Sequence, residues 1–290
     1  MKPPPFEYVA PSSVAEAVSA LQSFDGEARV LSGGQSLVPM LNMRLLQPPA
    51  IIDLNCIEGL RTIRIEGSTI RIGALVRYVT LTTDPVVARH LPLLREAVRL
   101  VGDTQVRNRG TIGGSVAHAD SSGEVPLVAL VQGATVVAQG PGGVREIGFD
   151  DFLKGAYETD LDPLEIITEV VFPDASSTCC AIVEHVRRHG DFSVIAVAAV
   201  GTPTHRGHWD GVRLAVSGAS PRPFLFAGSD ALTSGTTLEE SEIAEMAVRC
   251  LEQADPSSDV RASADYRRQL LPIYVERALH QMKERRGSSI

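Results

Sequence analysis

Two pairs of consecutive glycines, each flanked by hydroxyl side chains, are the part of this sequence best suited to bind an anion. Residues 32–36 read Ser-Gly-Gly-Gln-Ser, and residues 111–115 read Thr-Ile-Gly-Gly-Ser. Consecutive glycines permit positive φ and a close approach of the backbone, so that neighbouring N–H groups can converge on one anion. Two such segments could hold a diphosphate from two sides. Each pair taken alone is also typical of an ordinary turn, and that interpretation stays open.

The sequence lacks the standard motifs of several other catalytic and nucleotide-binding sites. Neither segment matches a GxGxxG or Walker pattern, so a Rossmann site and a P-loop are disfavoured. No HExxH helix, nucleophile elbow or Ser-His-Asp order is found. His118, Asp120 and Glu124 could suggest a metal site, but it is disfavoured because their spacing matches no common ligand pattern and a solvated loop accounts for them.

The composition sets limits on the class of protein. The 290 residues include 27 Lys and Arg and 35 Asp and Glu, which gives a net charge of −8. This acidic balance argues against a nucleic-acid-binding protein, but it does not exclude an anionic ligand bound by backbone N–H groups. The longest apolar stretch, residues 125–138, is too short to span a bilayer, and the N-terminus lacks the apolar core of a signal peptide. We therefore expect a soluble, cytoplasmic protein without a membrane span.

The four cysteines argue against a metal cluster held by this chain. They are Cys56, Cys179, Cys180 and Cys250, and no CxxC motif is present. A disulfide framework, a zinc site and an iron–sulfur site within the chain are all disfavoured.

The elements that must position the glycine segments are strands and helices without a regular βαβ rhythm, which favours the α+β class. Ser13 and Glu16 form a capping-box pattern for a first helix, and a short strand at 28–31 runs directly into the first glycine segment. We predict hairpins at 62–73 and 135–147, strands at 165–172, 181–187, 194–200 and 212–217, and helices at 85–101, 124–132, 239–252 and 266–285. The polar, breaker-rich stretch 173–177 is the expected domain boundary, which divides the chain into residues 1–175 and 176–290.

Both glycine segments carry a family resemblance. Residues 31–37 resemble the first flavin loop of the FAD-binding subunits of molybdenum hydroxylases, the xanthine oxidase and aerobic carbon monoxide dehydrogenase family. Residues 110–115, followed by Ala119-Asp120 and Glu124-Val125-Pro126, resemble the second flavin loop. The resemblance runs from Pro5-Phe6-Glu7-Tyr8 to Asp265-Tyr266-Arg267-Arg268, and residues 106–110 and 187–191 look closer to the nicotine, quinoline and caffeine dehydrogenases than to the carbon monoxide enzymes.

The resemblance implies a fold, a cofactor and partners. The fold would be a two-lobed PCMH-type FAD-binding domain, with lobes at about 1–55 and 56–175, followed by a smaller α+β domain. This chain would carry FAD and no catalytic residue of its own. It would take electrons from the [2Fe–2S] clusters of a small subunit and pass them to an external acceptor. A large subunit would carry molybdopterin cytosine dinucleotide, in a dimer of heterotrimers.

The resemblance also implies roles for individual residues. The first loop would hold the FAD diphosphate, and the second would reach the diphosphate and the ribityl chain from the other side. Relatives often carry His at position 35 and Asn at position 115, so the side-chain contacts of Gln35 and Ser115 differ from theirs. The expected loop residues are Ser32, Gly33, Gly34, Gln35, Ser36 and Leu37 in the first loop, and Thr111, Ile112, Gly113, Gly114 and Ser115 in the second.

Three further residues are implied at the site. Asp120 or Glu124 would hydrogen-bond the adenosine ribose, although Glu124 is equally typical of an acid at a helix N-terminus. Phe192 stands where relatives commonly have Tyr near the flavin ring, and a core position is its alternative. Two other functions stay open at this point: a stand-alone FAD-dependent oxidoreductase, and a non-enzymatic nucleotide-binding or assembly protein.

Overall fold

The computed structural model describes residues 2–204, 207–226 and 234–287, and the elements named here lie within those ranges. The strands are β1 Glu7–Val9, β2 Arg29–Leu31, β3 Ala50–Asp53, β4 Ile63–Glu66, β5 Thr69–Gly73, β6 Thr135–Gly140, β7 Gly143–Gly148, β8 Leu153–Gly155, β9 Glu158–Thr159, β10 Ile166–Pro173, β11 Cys179–His185, β12 Ile195–Pro203, β13 Trp209–Ser217 and β14 Phe224–Phe226. The helices are α1 Val14–Ser23, α2 Leu37–Asn42, α3 Tyr78–Thr83, α4 Pro85–His90, α5 Pro92–Leu100, α6 Thr104–Arg109, α7 Ile112–His118, α8 Glu124–Gln132, α9 Phe149–Phe152, α10 Glu240–Gln253 and α11 Ala264–Glu284. Helices and strands of this kind, without a repeating βαβ unit, confirm the α+β class.

A parallel sheet in the order β1-β3-β2 carries the first glycine segment. Helix α1 covers it, and Ala17, Leu21 and Ile52 are among the buried residues of their shared core. The α1 N-cap is Ser13, whose Oγ accepts the Glu16 N–H at 3.2 Å, as the sequence predicts. The other half of the capping box differs, because Glu16 Oε2 accepts the N–H of Ser12 at 2.8 Å and not that of Ser13. Since β2 ends at Leu31, the chain leaves the sheet edge at the first residue of the glycine segment.

A larger antiparallel sheet, in the order β4-β5-β10-β6-β7, shares a core with helices α3, α4, α5, α7 and α8. Every residue of α8 is buried, Glu124 and Gln132 included. A helix without a polar face belongs between two layers, and α8 indeed lies between this sheet and the C-terminal one.

The C-terminal sheet, β11-β12-β13-β14, is buried on both faces. Ala196, Ala198 and Val200 face α8 and the core of the larger sheet, whereas Ile195, Val197 and Ala199 face helices α10 and α11. Successive strand residues point to opposite faces, so burial on both sides explains why β12 is a continuous apolar run.

Two local expectations were wrong. The helix expected at 85–101 is two helices, because Pro92 begins a new one after Leu91 leaves the helical region at φ −134°. The alternative of an ordinary turn was wrong for the second glycine pair, because Ile112 to Ser115 form the first turn of α7. No helix in the described part of the chain is long and apolar enough to cross a bilayer.

Candidate functional site

A cavity of about 870 Å³ lies between the parallel sheet, the larger sheet with its helices, and the loop that joins β11 to β12. Of the residues expected at the site, Ile112 is fully buried in the core and lies outside the cavity wall. The other expected residues line the cavity: Ser32, Gly33, Gly34, Gln35, Ser36, Leu37, Thr111, Gly113, Gly114, Ser115, Asp120, Glu124 and Phe192. The fold therefore brings together segments that are 80 residues apart in the chain.

The first glycine segment offers backbone donors to a ligand. Within the described residues, no acceptor bonds the N–H groups of residues 33–36. Four consecutive unpaired N–H groups at a cavity form the kind of concavity that binds an anion. Gly34 has φ +74°, which a side chain rarely adopts, and the Gly34 carbonyl accepts the Val38 N–H at 3.0 Å to start α2.

The second glycine segment does not offer its backbone in the same way. The Ile112 N–H bonds the Val76 carbonyl at 3.1 Å, the Gly113 N–H bonds the Ala74 carbonyl at 3.0 Å, and the Gly114 N–H bonds Thr111 Oγ1 at 3.1 Å. The Ser115 N–H bonds the Thr111 carbonyl. The expectation of converging N–H groups on both sides was therefore wrong for this segment, because helix capping and tertiary contacts use these donors.

The glycines of both segments are needed for close packing more than for positive φ. Only Gly34 of the four has positive φ. A Cβ added at Gly33 would lie 2.5 Å from the Arg109 carbonyl oxygen, and one added at Gly113 would lie 2.5 Å from Ala74 Cβ. These distances are too short for any side chain, so the backbone of Gly33 lies directly against residues 109–110 and that of Gly113 lies directly against Ala74.

A hydrogen-bond network that sequence reasoning missed joins the two segments. Ser32 Oγ and Thr111 Oγ1 are 2.6 Å apart. Asn55 Nδ2 donates to the Ser32 carbonyl at 2.9 Å, and its Oδ1 accepts from Arg77 Nη2 at 2.6 Å. Arg77 Nη1 in turn donates to the carbonyl of Arg109. No motif marks Asn55 or Arg77, since they act through contacts that exist only in the folded chain.

Asp120 is held by a turn and by an aromatic side chain. Its Oδ1 accepts the Ser122 N–H at 2.8 Å, and its Oδ2 accepts the Tyr157 hydroxyl at 3.0 Å. Tyr157 has φ +61°, and its ring centroid is 5.0 Å from that of His118. Burial lowers the pKa of His118, so the ring next to Tyr157 is neutral at pH 7. No motif in the sequence marks Tyr157.

Glu124 lies in the cavity wall with only 6% of its surface exposed. Burial, together with the nearby Glu184 and Asp120 carboxylates, raises the pKa of Glu124 to about 8. Burial also raises the pKa of Glu184, on β11, to about 7, and its Oε2 is buried without a partner in the described structure. Glu124 is therefore mainly protonated at neutral pH and can donate a hydrogen bond.

Phe192 reaches the cavity from the loop that follows β11. Its side chain is 50% exposed, so the core alternative was wrong. A Cβ added at Gly190, which has φ +82°, would lie 2.9 Å from the Gly102 carbonyl oxygen, so the loop packs directly on residue 102. The Arg261 guanidinium lies 4.9 Å above the Phe192 ring.

This combination fits a dinucleotide cofactor such as FAD. The cavity volume lies in the range of small-molecule sites. Residues 33–36 supply donors for a diphosphate, Asp120 and Glu124 supply polar groups for a ribose, and Phe192 and Tyr157 supply ring surfaces. Which cofactor atoms each residue contacts is a prediction.

Comparison with known families matches almost the whole chain. The model of the FAD-binding domain in molybdopterin dehydrogenase matches residues 4–175, and that of the carbon monoxide dehydrogenase flavoprotein C-terminal domain matches residues 181–282. The alpha subunit of the 6-hydroxypseudooxynicotine dehydrogenase complex from Paenarthrobacter nicotinovorans is 38% identical over 280 residues, covering 96% of this chain and 95% of that protein. The carbon monoxide dehydrogenase medium chain from Hydrogenophaga pseudoflava is 37% identical over 286 residues, covering 97% and 98%.

Solved structures agree with the sequence matches. A chain of the carbon monoxide dehydrogenase from Hydrogenophaga pseudoflava that lacks the Mo-pyranopterin moiety superposes with a TM-score of 0.95 at 37% identity, covering 98% of this chain and 99% of that chain. A chain of quinoline 2-oxidoreductase from Pseudomonas putida 86 superposes with a TM-score of 0.93 at 33% identity, covering 100% of both.

Proposed function

The chain belongs to the family of FAD-binding medium subunits of molybdopterin dehydrogenases, and from this premise we propose that it relays electrons within a molybdenum hydroxylase complex. It would receive electrons from the [2Fe–2S] clusters of a small subunit and deliver them to an external acceptor. A large subunit with molybdopterin cytosine dinucleotide would oxidise the organic substrate, in a cytoplasmic dimer of heterotrimers. The relatives named for nicotine derivatives, carbon monoxide and quinoline support this assignment to a complex.

One observation carries the proposal for the cofactor site. Residues 33–36 place four unpaired backbone N–H groups on the cavity, and the Ser32–Thr111 hydrogen bond of 2.6 Å holds this segment against the second one. Unpaired N–H groups cost free energy wherever water is excluded, so a bound diphosphate would stabilise them. We assign the diphosphate to residues 33–36 and the adjoining ribityl region to Thr111, Gly114 and Ser115.

The other site residues would bind and orient the ends of the cofactor. FAD supplies the chemistry, because it can accept electrons singly and release them singly or in pairs. Asp120, already fixed by Ser122 and Tyr157, accepts hydrogen bonds, whereas protonated Glu124 donates one. Phe192 covers the ring end and limits its contact with water.

Reduction of the FAD-loaded chain by its small partner tests the proposal. The small iron–sulfur subunit of the proposed complex is reduced with dithionite, freed of excess reductant, and mixed anaerobically with the FAD-loaded chain. Two one-electron clusters supply the two electrons that FAD takes up, so one equivalent of small subunit should bleach the flavin absorbance near 450 nm. The two proteins should also co-elute in size-exclusion chromatography.

A different outcome separates the relay from a stand-alone enzyme. If the small subunit leaves the flavin band unchanged while the isolated chain reduces an acceptor directly from an organic substrate, the relay proposal is wrong. If the chain cannot be loaded with FAD at all, the cofactor assignment is wrong as well.

A further inference from the structure

A second, smaller cavity opens beside the ring end of the FAD cavity, and three of its seven lining residues are arginines. It measures about 450 Å³, and we call it the arginine groove. Its lining residues are Arg187, Arg188, Asp191, Phe192, Val194, Val260 and Arg261. Asp191 and Phe192 line both cavities, so a molecule in the groove would lie next to the end of the FAD cavity that Phe192 covers.

The groove carries positive charge on a chain whose net charge is −8. Arg188 pairs with Asp191 at 3.2 Å. Arg187 and Arg261 have no carboxylate within 4.0 Å among the residues that the structure describes, whereas many other arginines of the chain are paired. Two unneutralised guanidinium groups in one concave site attract anions.

Hydrogen bonds hold these two arginines in place before any ligand binds. Arg187 Nη2 donates to the Arg261 carbonyl at 2.5 Å. Arg261 Nη1 donates to Ser122 Oγ at 2.9 Å, and its guanidinium stacks on Phe192. Each guanidinium has five N–H donors, so donors remain for a carboxylate, sulfonate or phosphate group. A guanidinium group that is already held in position loses less conformational entropy on binding a ligand than a freely moving one does.

We propose that the arginine groove binds the electron acceptor, and that this acceptor is a small molecule with an aromatic or other apolar part and one or more anionic groups. The proposal rests on the proposed relay function. The guanidinium groups of Arg187 and Arg261 bind the anionic groups, and Phe192, Val194 and Val260 contact the apolar part. The groove therefore favours negatively charged acceptors and holds them next to the flavin.

The transfer step is a simple reduction of the acceptor. With ferricyanide as the anionic probe, each ion takes up one electron and becomes ferrocyanide. Two ferricyanide ions are consumed for each FAD reduced by two electrons, and the protons of the reduced cofactor are released to the solvent.

The test compares an anionic with a cationic oxidant of the FAD-loaded full chain. The chain is reduced photochemically and mixed in a stopped-flow instrument with ferricyanide or with tris(phenanthroline)cobalt(III), and the return of flavin absorbance is followed at low ionic strength. R187Q should lower the rate constant with ferricyanide about threefold and R187E about tenfold, because the charge at the groove acts on a trivalent anion. The rate constant with the cation should rise in both variants.

A second readout does not depend on turnover. Quenching of flavin fluorescence by iodide, relative to quenching by neutral acrylamide, should fall in R187Q and R187E, because fewer anions gather at the groove. R89Q removes one exposed positive charge from α4, away from both cavities. It should leave the rate constants with the two oxidants and the ratio of iodide to acrylamide quenching at their wild-type values.

Three results would overturn the proposal. Equal slowing with both oxidants would mean that the substitution disturbs the flavin itself. A loss of FAD from R187Q would mean that the groove holds a cofactor phosphate instead of an acceptor. Unchanged rates and unchanged iodide quenching in R187E would mean that the groove takes no anion. FAD loading is measured separately, and the chain is reduced photochemically without the small subunit. These outcomes therefore do not depend on whether the chain receives electrons from that subunit.

Discussion

At the scale of single residues, the two glycine segments differ in their backbone hydrogen bonds although their sequences are similar. Residues 33–36 keep their backbone N–H groups unpaired, whereas residues 112–114 donate theirs to Val76, Ala74 and Thr111. Residue types and spacing predicted which segments meet, because glycine and hydroxyl residues suit an anion site. They could not predict which donors stay available, since the competing carbonyl groups come from residues far away in sequence.

Replacing Gly33 with alanine should remove FAD from the chain. The new Cβ would lie 2.5 Å from the Arg109 carbonyl oxygen, so the backbone of residues 32–36 must move away from the second segment. We expect the affinity for FAD to fall at least tenfold and the free energy of unfolding to drop by about 1–3 kcal/mol. Fluorescence titration of the apo chain with FAD and urea unfolding measure the two effects.

Gly59 provides the matched control for this substitution. Nothing lies within 4 Å of a Cβ added there, so G59A should keep wild-type affinity for FAD. Wild-type affinity in G33A as well would show that the first segment does not bind the cofactor.

At the scale of elements, helix α7 links the two sides of the cavity through its N-cap. Thr111 Oγ1 accepts the Gly114 N–H and is 2.6 Å from Ser32 Oγ, so one hydroxyl group both caps the helix and joins the segments. The capping pattern of α1 was readable from Ser13 and Glu16. The start of α7 was not, because Gly113 and Gly114 are poor helix formers, and they are held in the helix by the Thr111 cap and by the contact of Gly113 with Ala74.

Replacing Thr111 with valine should weaken both the helix and the cofactor site. Valine keeps the shape but loses the cap, which costs about 1 kcal/mol of stability, and it also loses the bond to Ser32. FAD affinity should fall several-fold, and T111S should restore it. D84A removes the N-cap of α4, where Asp84 accepts the Val86 N–H at 2.8 Å, and should cost similar stability without any effect on FAD. An equal loss of FAD in D84A would mean that the effect comes from stability alone.

At the scale of the whole molecule, the C-terminal sheet completes the core around α8, and the loop between β11 and β12 completes the cavity. Helix α8 packs against β12 and β13, and Arg285 at the end of α11 binds Glu96 of α5 at 2.6 Å. The alternation of apolar residues predicted most of the strands and helices, because each has a face or a whole surface to bury. The packing of Glu184 near Glu124 was not predictable, because it depends on how two sheets meet around α8. We propose that the domains divide at 173–177, between β10 and β11.

The buried carboxyls should make the FAD-free chain less stable as the pH rises. Folding raises the pKa of Glu124 to about 8 from an ordinary value of 4.5, so its stabilising contribution is complete below pH 4.5 and is lost as the pH rises towards 8. Over that window one such group lowers the free energy of unfolding by about 1.4 kcal/mol per pH unit. Glu184 acts in the same direction up to about pH 7.

Urea unfolding of the apo chain between pH 5 and pH 8 checks this expectation. E124Q should flatten the decline, whereas E27Q, which changes an exposed acid, should leave it unchanged. A wild-type stability that rises between pH 5 and pH 8, with E124Q following it, would contradict a protonated Glu124 in the folded chain.

The position of the FAD diphosphate tests the central claim most directly. A crystal structure of the FAD-loaded chain should place oxygens of the diphosphate at about 2.7–3.2 Å from the backbone nitrogens of residues 33–36, with Thr111 and Ser115 on the opposite side. A diphosphate bound elsewhere, with the N–H groups of residues 33–36 facing only water, would contradict it.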